Sequence, residues 1–268
     1  MGAEFYFSCT RCGNCCSNGS GYVWIEPEEI APMAAALSMT EDAFARRYVR
    51  EAGGRLSLVE DRPGGGRCAL LEGKNHCTVY GARPRHCREF PRWPAIVGGG
   101  EGFARARAIC PGIHEVPPRA VRVAAYRELD ALYARVDGEV AALTPKCEIS
   151  GRCCDFPTAG HRLFATWLEV DSVVERGPQL GIAEGPGWCE LYRGRRCMGR
   201  EVRPLACRTY FCDPLTSTAL AELHEARLAE LRALERRLGY PQGYGDFVEL
   251  VPQRRAAIAS LDARRGRE

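Results

Sequence analysis

Histidine is scarce in this chain of 268 residues: there are five, against fifteen cysteines. Long apolar runs are missing altogether, and none approaches the ~20 residues of a membrane-spanning helix. Charge of one sign is also missing. The net charge of +3 is too near neutral to argue for a nucleic-acid partner. No G-x-G-x-x-G or other nucleotide loop is present; Gly64-Gly65-Gly66 and Gly98-Gly99-Gly100 are bare glycine tips. Met1 to Phe7 lack the basic region and apolar core of a secretory signal. These absences argue against a membrane protein, a nucleic-acid binder and a nucleotide enzyme. They place the expectation in the cytoplasm, where thiols stay reduced and a cysteine-rich chain is read as metal-binding before it is read as disulfide-bonded.

The cysteines are not scattered. Cys9, Cys12, Cys15 and Cys16 fall in the run F-S-C-T-R-C-G-N-C-C. C-x-x-C spacing lets two thiolates converge on one point, as zinc and iron–sulfur sites require. Gly13 supplies a residue that tolerates positive φ between the halves. Adjacent cysteines such as Cys15 and Cys16 rarely bind one mononuclear ion together. They point to two neighbouring metals, or to one ligand and one packed thiol. Cys68, Cys77, Cys87 and Cys110 follow. A second knot, Cys147-E-I-S-G-R-Cys153-Cys154, precedes Cys189, Cys197, Cys207 and Cys212. All fifteen are candidate metal ligands.

Between the knots the chain reads as mainly helical, with short strands and irregular cysteine-bearing loops, a metal-stapled tandem repeat. Tyr22 to Ile25 form a strand-like run. Pro27, Glu28 and Glu29 suit a helix start, and Ile30, Met33, Ala34 and Leu37 give that helix an apolar face. Ser38-Met-Thr-Glu41 has capping-box spacing and opens a second helix that Gly53-Gly54 stops. Leu56 to Val59 read as a strand, and Arg62 to Gly66 as a flexible loop. A helical period runs from Arg119 to Leu143 through Val121, Ala125, Leu129, Leu132, Val136 and Val140, and another from Thr216 to Leu238. The last residues, Ala263 to Glu268, read as frayed. The division expected is a cysteine-cluster domain over 1–117, a connecting helix over 118–145, a divergent second copy over 146–215 and a helical segment over 216–268.

Laid over the first knot without a gap, the second puts Cys147 on Cys9, Gly151 on Gly13, Cys153 on Cys15 and Cys154 on Cys16, while Ser150 falls on Cys12. Cys77 to Cys87 and Cys197 to Cys207 have the same spacing, with Arg83-Pro84 on Arg203-Pro204 and Arg88 on Arg208. Cys68 and Cys189 pair with a one-residue slip; the pairing of Cys110 with Cys212 is left open by their different spacings. Ligands repeated at fixed spacing argue for two copies of one metal-binding unit. Arg83, Arg88, Arg203 and Arg208 are candidates to face the bound cofactor. Their charge would offset a thiolate cluster and lower cysteine pKa values, or receive an anionic group; a solvated basic surface is the plainer reading.

These blocks resemble, in order, those of a known family. F-S-C-T-R-C-G-N-C-C, the stretch from Trp24 to Tyr48, and C-T-V-Y-G-A-R-P-R-H-C-R-E-F-P from Cys77 to Pro91 are similar to the YkgJ-like cysteine-cluster family of zinc- or iron-chelating domains. The resemblance covers roughly residues 5 to 112. The second copy departs from it: Ser150 replaces a motif cysteine, Arg200 stands where Tyr80 does, and F-P after Cys87 has no counterpart after Cys207. Flagellin lysine methylases resemble the family in the cysteine cluster and depend on an iron–sulfur centre. The resemblance implies metal chelation and supplies no substrate.

Cysteine without histidine favours soft-ligand chemistry; His76 and His86 sit beside motif cysteines and read as flanking residues. The expectation is a metal-binding protein with iron–sulfur clusters, or with zinc or iron ions, in a redox or metal-handling role toward a protein or small-molecule partner. The alternatives are a metal-dependent enzyme of methyltransferase type, as the resemblance allows, and a zinc-stapled interaction module.

Overall fold

The structure, a computed structural model, describes residues 3–17, 21–61, 66–148, 150–178, 180, 185–194 and 196–266. The loop expected over 62–66 lies outside them, apart from Gly66. The chain divides into two compact units, Met1–His114 and Glu115–Glu268, and is mainly helical with short strands. Among the described residues no helix is long and apolar enough to cross a membrane.

In the first unit, strands Val23–Ile25, Arg55–Leu58 and Val49–Ala52 form an antiparallel sheet with Arg55–Leu58 in the middle. Helices Ile30–Ala36 and Glu41–Tyr48 bury Met33, Ala34 and Phe44 together with Ile25, Leu58, Leu70 and Val79. Two sequence expectations shift here. Thr40, not Ser38, caps the second helix, accepting from the Ala43 amide. That helix ends at Tyr48, because Val49–Ala52 pairs with Arg55–Leu58 and Gly53-Gly54, at positive φ, make the hairpin turn instead of a helix stop. A smaller cluster of Phe5, Ile96, Ala106, Cys110 and Ile113 lies under the paired strands Tyr6–Phe7 and Ile113–His114.

The second unit is built on helices Arg119–Ala142, Trp167–Arg176, Ser217–Arg237 and Phe247–Arg265. The helix expected to connect two domains packs inside this unit: Leu129, Leu132 and Val136 meet Leu168, Leu205 and Leu231. Val121, expected on its apolar face, is exposed, whereas Arg122, Tyr126 and Tyr133 are buried. The C-terminal helix extends to Arg265, so the residues expected to fray are helical up to that point. Its apolar stripe of Phe247, Leu250, Val251, Ala257, Ile258 and Leu261 includes Arg254. Arg254 and Asp171 are both fully buried and joined by two hydrogen bonds of 2.6 and 2.7 Å. Tyr240 donates to the same carboxylate at 2.6 Å. A buried charge survives only when it is paired and hydrogen-bonded, and here both partners are.

Candidate metal centre

All eight cysteines of the first unit line one cavity of about 180 Å³. Local backbone geometry brings them there. Gly13, at φ +78°, lets the chain turn so that the Cys16 amide bonds to the Gly13 carbonyl at 3.0 Å. A Cβ on Gly13 would stand 2.4 Å from the Lys74 carbonyl oxygen, so the first knot lies directly against the turn before Cys77. The Cys68 amide donates to the Cys16 carbonyl at 2.8 Å. The hairpin Leu71–Glu72 with His76–Cys77 presents Cys77. The short helix Arg85–Glu89, entered through Pro84, presents Cys87. Asn14 donates to the Ile109 carbonyl at 2.7 Å and the Ser8 amide to the Gly112 carbonyl at 3.0 Å, which holds Cys110 beside the knot.

The second unit has a cavity of about 120 Å³ lined by Cys153, Cys154, Cys189, Cys197 and Cys207. Its backbone bonds run parallel to those of the first. The Cys154 amide bonds to the carbonyl of Gly151, at φ +76°, over 2.9 Å, and the Cys189 amide to the Cys154 carbonyl over 3.0 Å. The hairpin Tyr192–Arg193 with Arg196–Cys197 sets Tyr192 opposite Cys197 as Leu71 is set opposite Cys77. The helix Leu205–Thr209 follows Pro204 as Arg85–Glu89 follows Pro84. Cys147 is exposed, Cys212 is half-buried, and neither is among the described residues lining this cavity. The Lys146 amide nevertheless bonds to Asp213 at 3.2 Å, beside both.

One carboxylate in each unit locks the helix that carries the last shared cysteine. Glu29 accepts from the Glu26 amide at 3.0 Å and from the Arg85 amide at 2.5 Å. Glu169 accepts from the Thr166 amide at 2.8 Å and from the Leu205 amide at 2.7 Å, and also from the Tyr133 hydroxyl at 2.9 Å. Each thus closes a capping box and holds the N-terminus of the helix bearing Cys87 or Cys207. The sequence places Glu29 at a helix start; its reach to residue 85 is tertiary and leaves no local pattern. Tyr210 was also missed. It lines the second cavity three residues after Cys207, as Phe90 lines the first three residues after Cys87. The aromatic of F-P therefore has a counterpart, and only the proline does not.

Burial dominates the electrostatics. It pushes the Cys87 thiol up to about 12, with Cys68, Cys15 and Cys77 adding to the shift, and Cys110 up to about 11. Cys68, Cys77 and Cys197 also rise by burial, and Cys207 rises well above its ordinary value. Cys15 runs the other way, to about 7, chiefly through its contact with Cys16, whose own thiol rises in return. In the second unit, Cys153 lowers Cys154, but Cys189 and burial outweigh it and leave Cys154 at about 12. Arg83 favours the thiolates of Cys15, Cys77 and Cys87, and Arg203 those of Cys153, Cys197 and Cys207. Arg88 also lines the first cavity, with its largely exposed guanidinium 3.8 Å from Glu29. Arg208 is buried, with its guanidinium bonded to Asp137 and to the carbonyls of Arg203 and Glu201.

The donor chemistry fits a soft or borderline metal: sulfur lines both cavities, and all fifteen thiols are free. The adjacent sulfurs Cys15–Cys16 and Cys153–Cys154 stand 3.8 and 3.9 Å apart. That matches the roughly 3.8 Å edge of a tetrahedron with metal–sulfur bonds of about 2.3 Å. Among the described residues, no three Cys, His, Asp or Glu side chains are gathered tightly enough to hold one ion. His86 lines the first cavity, but its ring stacks on Trp93 at 4.2 Å.

Residues 8–111 match the CxxCxxCC family model, described as a putative zinc- or iron-chelating domain. The match takes in every cysteine of the first unit and stops there; no second copy is detected in the rest of the chain. No solved structure matches the chain.

Proposed function

We propose that this chain is a thiolate metal-binding protein in which both cysteine cavities hold a sulfur-ligated centre, an iron–sulfur cluster before a zinc or iron ion, in a redox or metal-handling role. The observation that carries this reading is the gathering of eight cysteines, distant in sequence, around one cavity. Chance burial of thiols does not collect them with a flanking arginine and without acidic side chains. The second cavity supports a divergent second copy, because its five cysteines sit on matching backbone hydrogen bonds. Iron–sulfur is favoured because the linings offer cysteine in excess and each cavity exceeds the ~30 Å³ share of a single water several-fold.

In this reading Cys15, Cys16, Cys68, Cys77 and Cys87 hold the first centre, and Cys153, Cys154, Cys189, Cys197 and Cys207 the second. Arg83 and Arg203 offset the thiolate charge. Glu29 and Glu169 act through the helices they anchor. A bound cluster would supply one-electron chemistry, and a zinc ion would supply a structural staple. Metal analysis and a visible spectrum of the anaerobically purified full-length chain test the proposal. Iron with visible absorbance is the expected result. Stoichiometric zinc without colour selects the zinc alternative, and a chain with neither metal overturns the proposal.

A further inference from the structure

The Tyr80 ring carries two cations. The Arg83 guanidinium lies 3.5 Å from its centre and the Arg11 guanidinium 4.4 Å. All three residues line the first cavity, and no acidic side chain is among the described residues that do. Arg88, the other arginine of that lining, has Glu29 at 3.8 Å. Arg11 and Arg83 have no ion-pair partner among the described residues. Arg83 uses one donor on its own segment, Nε to the Tyr80 carbonyl at 2.8 Å.

Holding Arg11 over the ring strains the backbone. Arg11 stands at φ +52°, in the left-handed region that a side chain with a Cβ disfavours. Strain of this kind persists where the surroundings enforce it, and ligand clamps are among such places. An aromatic face attracts a cation, but two guanidiniums on one ring repel each other. An anion shared by both removes the repulsion, and the planar forks that would bind it are already oriented by stacking.

The second unit lacks this device. Ile149 falls at the place of Arg11, and Arg200 at that of Tyr80. Arg203, the counterpart of Arg83, has a buried Nε with no hydrogen-bond partner, in place of the bond that Arg83 makes.

We propose that Arg11 and Arg83, aligned by Tyr80, form a binding site for a small oxyanion, a carboxylate or phosphate group, at the first cavity and in the first unit alone. The site goes beyond the metal reading and needs no ion in the cavity. Where the thiolate centre is loaded, the site holds an anionic small molecule beside it, and the small-molecule partner of the centre is then an acid; that last step rests on the metal reading.

Calorimetric titration of the full-length chain with succinate and with inorganic phosphate, at an ionic strength fixed with chloride, tests the site. One saturable site for at least one of the two is expected: succinate alone identifies a carboxylate ligand, and phosphate alone a phosphate ligand. Arg11→Gly removes one fork and relieves the positive φ, so the fold is kept. It should weaken binding about tenfold or more and leave the metal content unchanged. Tyr80→Phe keeps the ring and should bind as the wild type does, whereas Tyr80→Leu should weaken binding as Arg11→Gly does. Arg200→Ala, in the second unit, should change nothing. Saturable binding of neither anion, or equal affinity in Arg11→Gly, overturns the proposal. A chain that binds the anion but carries no metal fails the metal reading and upholds the anion site.

Discussion

The two cysteine cavities share their wiring and differ in what surrounds it. Both turn on a positive-φ glycine, both tie the second adjacent cysteine to the next cysteine strand by one amide, and both fix the last cysteine helix through a capping-box glutamate. The first cavity rests on a small sheet, two short helices and long connections. The second is braced by helices of up to 24 residues and by a fully buried ion pair. Where tertiary packing already holds a thiol constellation, a bound metal would add little order; where packing is thin, metal binding would supply free energy that orders the loops.

The largest expected effect follows directly. Chelation of the loaded protein should raise amide exchange across residues 8–111 far more than across the helices Arg119–Ala142 and Ser217–Arg237. Equal loss of protection in both units would break the comparison. Next come the two anchoring glutamates. Glu169 is buried with three donors, whereas Glu29 is partly exposed with two. Glu169→Ala should cost about 3 kcal/mol and Glu29→Ala about 1 kcal/mol in denaturant titrations of the respective units. The reverse order would mean that burial does not set the strength of the anchor.

A third contrast concerns pH. Glu235, in the second unit, is held up at about 7, first by burial, with one carboxylate oxygen lacking any partner. Its neutral form is the one the fold accommodates. The stability it allows is complete below the ordinary carboxylate value and is lost as pH rises through about 7. Glu235→Gln should remove that decline and stabilise the second unit at pH 8 by about 2 kcal/mol, leaving the first unit unchanged. An unaltered pH profile would contradict it. The smallest effect separates the glycines. Each alanine pays about 1 kcal/mol for positive φ. Gly13→Ala also strikes a backbone carbonyl, whereas Gly151→Ala strikes the Tyr192 hydroxyl, the far end of a side chain. Thermal melts should show Gly13→Ala to be the more damaging.

Much of this arrangement was legible in the sequence where chemistry is written as spacing. The cysteines, Gly13 and Gly151, and the Arg-Pro pairs fell into register by themselves, and the helices at 119–142 and 217–237 matched their apolar periods to within about a residue. Trp167–Arg176 and Phe247–Arg265 escaped notice for one reason: their buried faces carry Glu169, Asp171 and Arg254, whose charges satisfy one another or their neighbours only in three dimensions. The equivalence of Cys110 and Cys212 stayed open because their spacings diverge, and only the Ser8–Gly112 and Lys146–Asp213 bonds set them in comparable places. Tyr210 was hidden by the missing proline.

On the proposed function, the two cavities bind metal independently through matched cysteines. Iron and zinc per chain, measured in Cys87→Ser and in Cys207→Ser, test it most directly. Each variant is predicted to lose the metal of its own unit and keep that of the other. Full metal content in Cys207→Ser would show that the second cavity binds nothing and contradict the account.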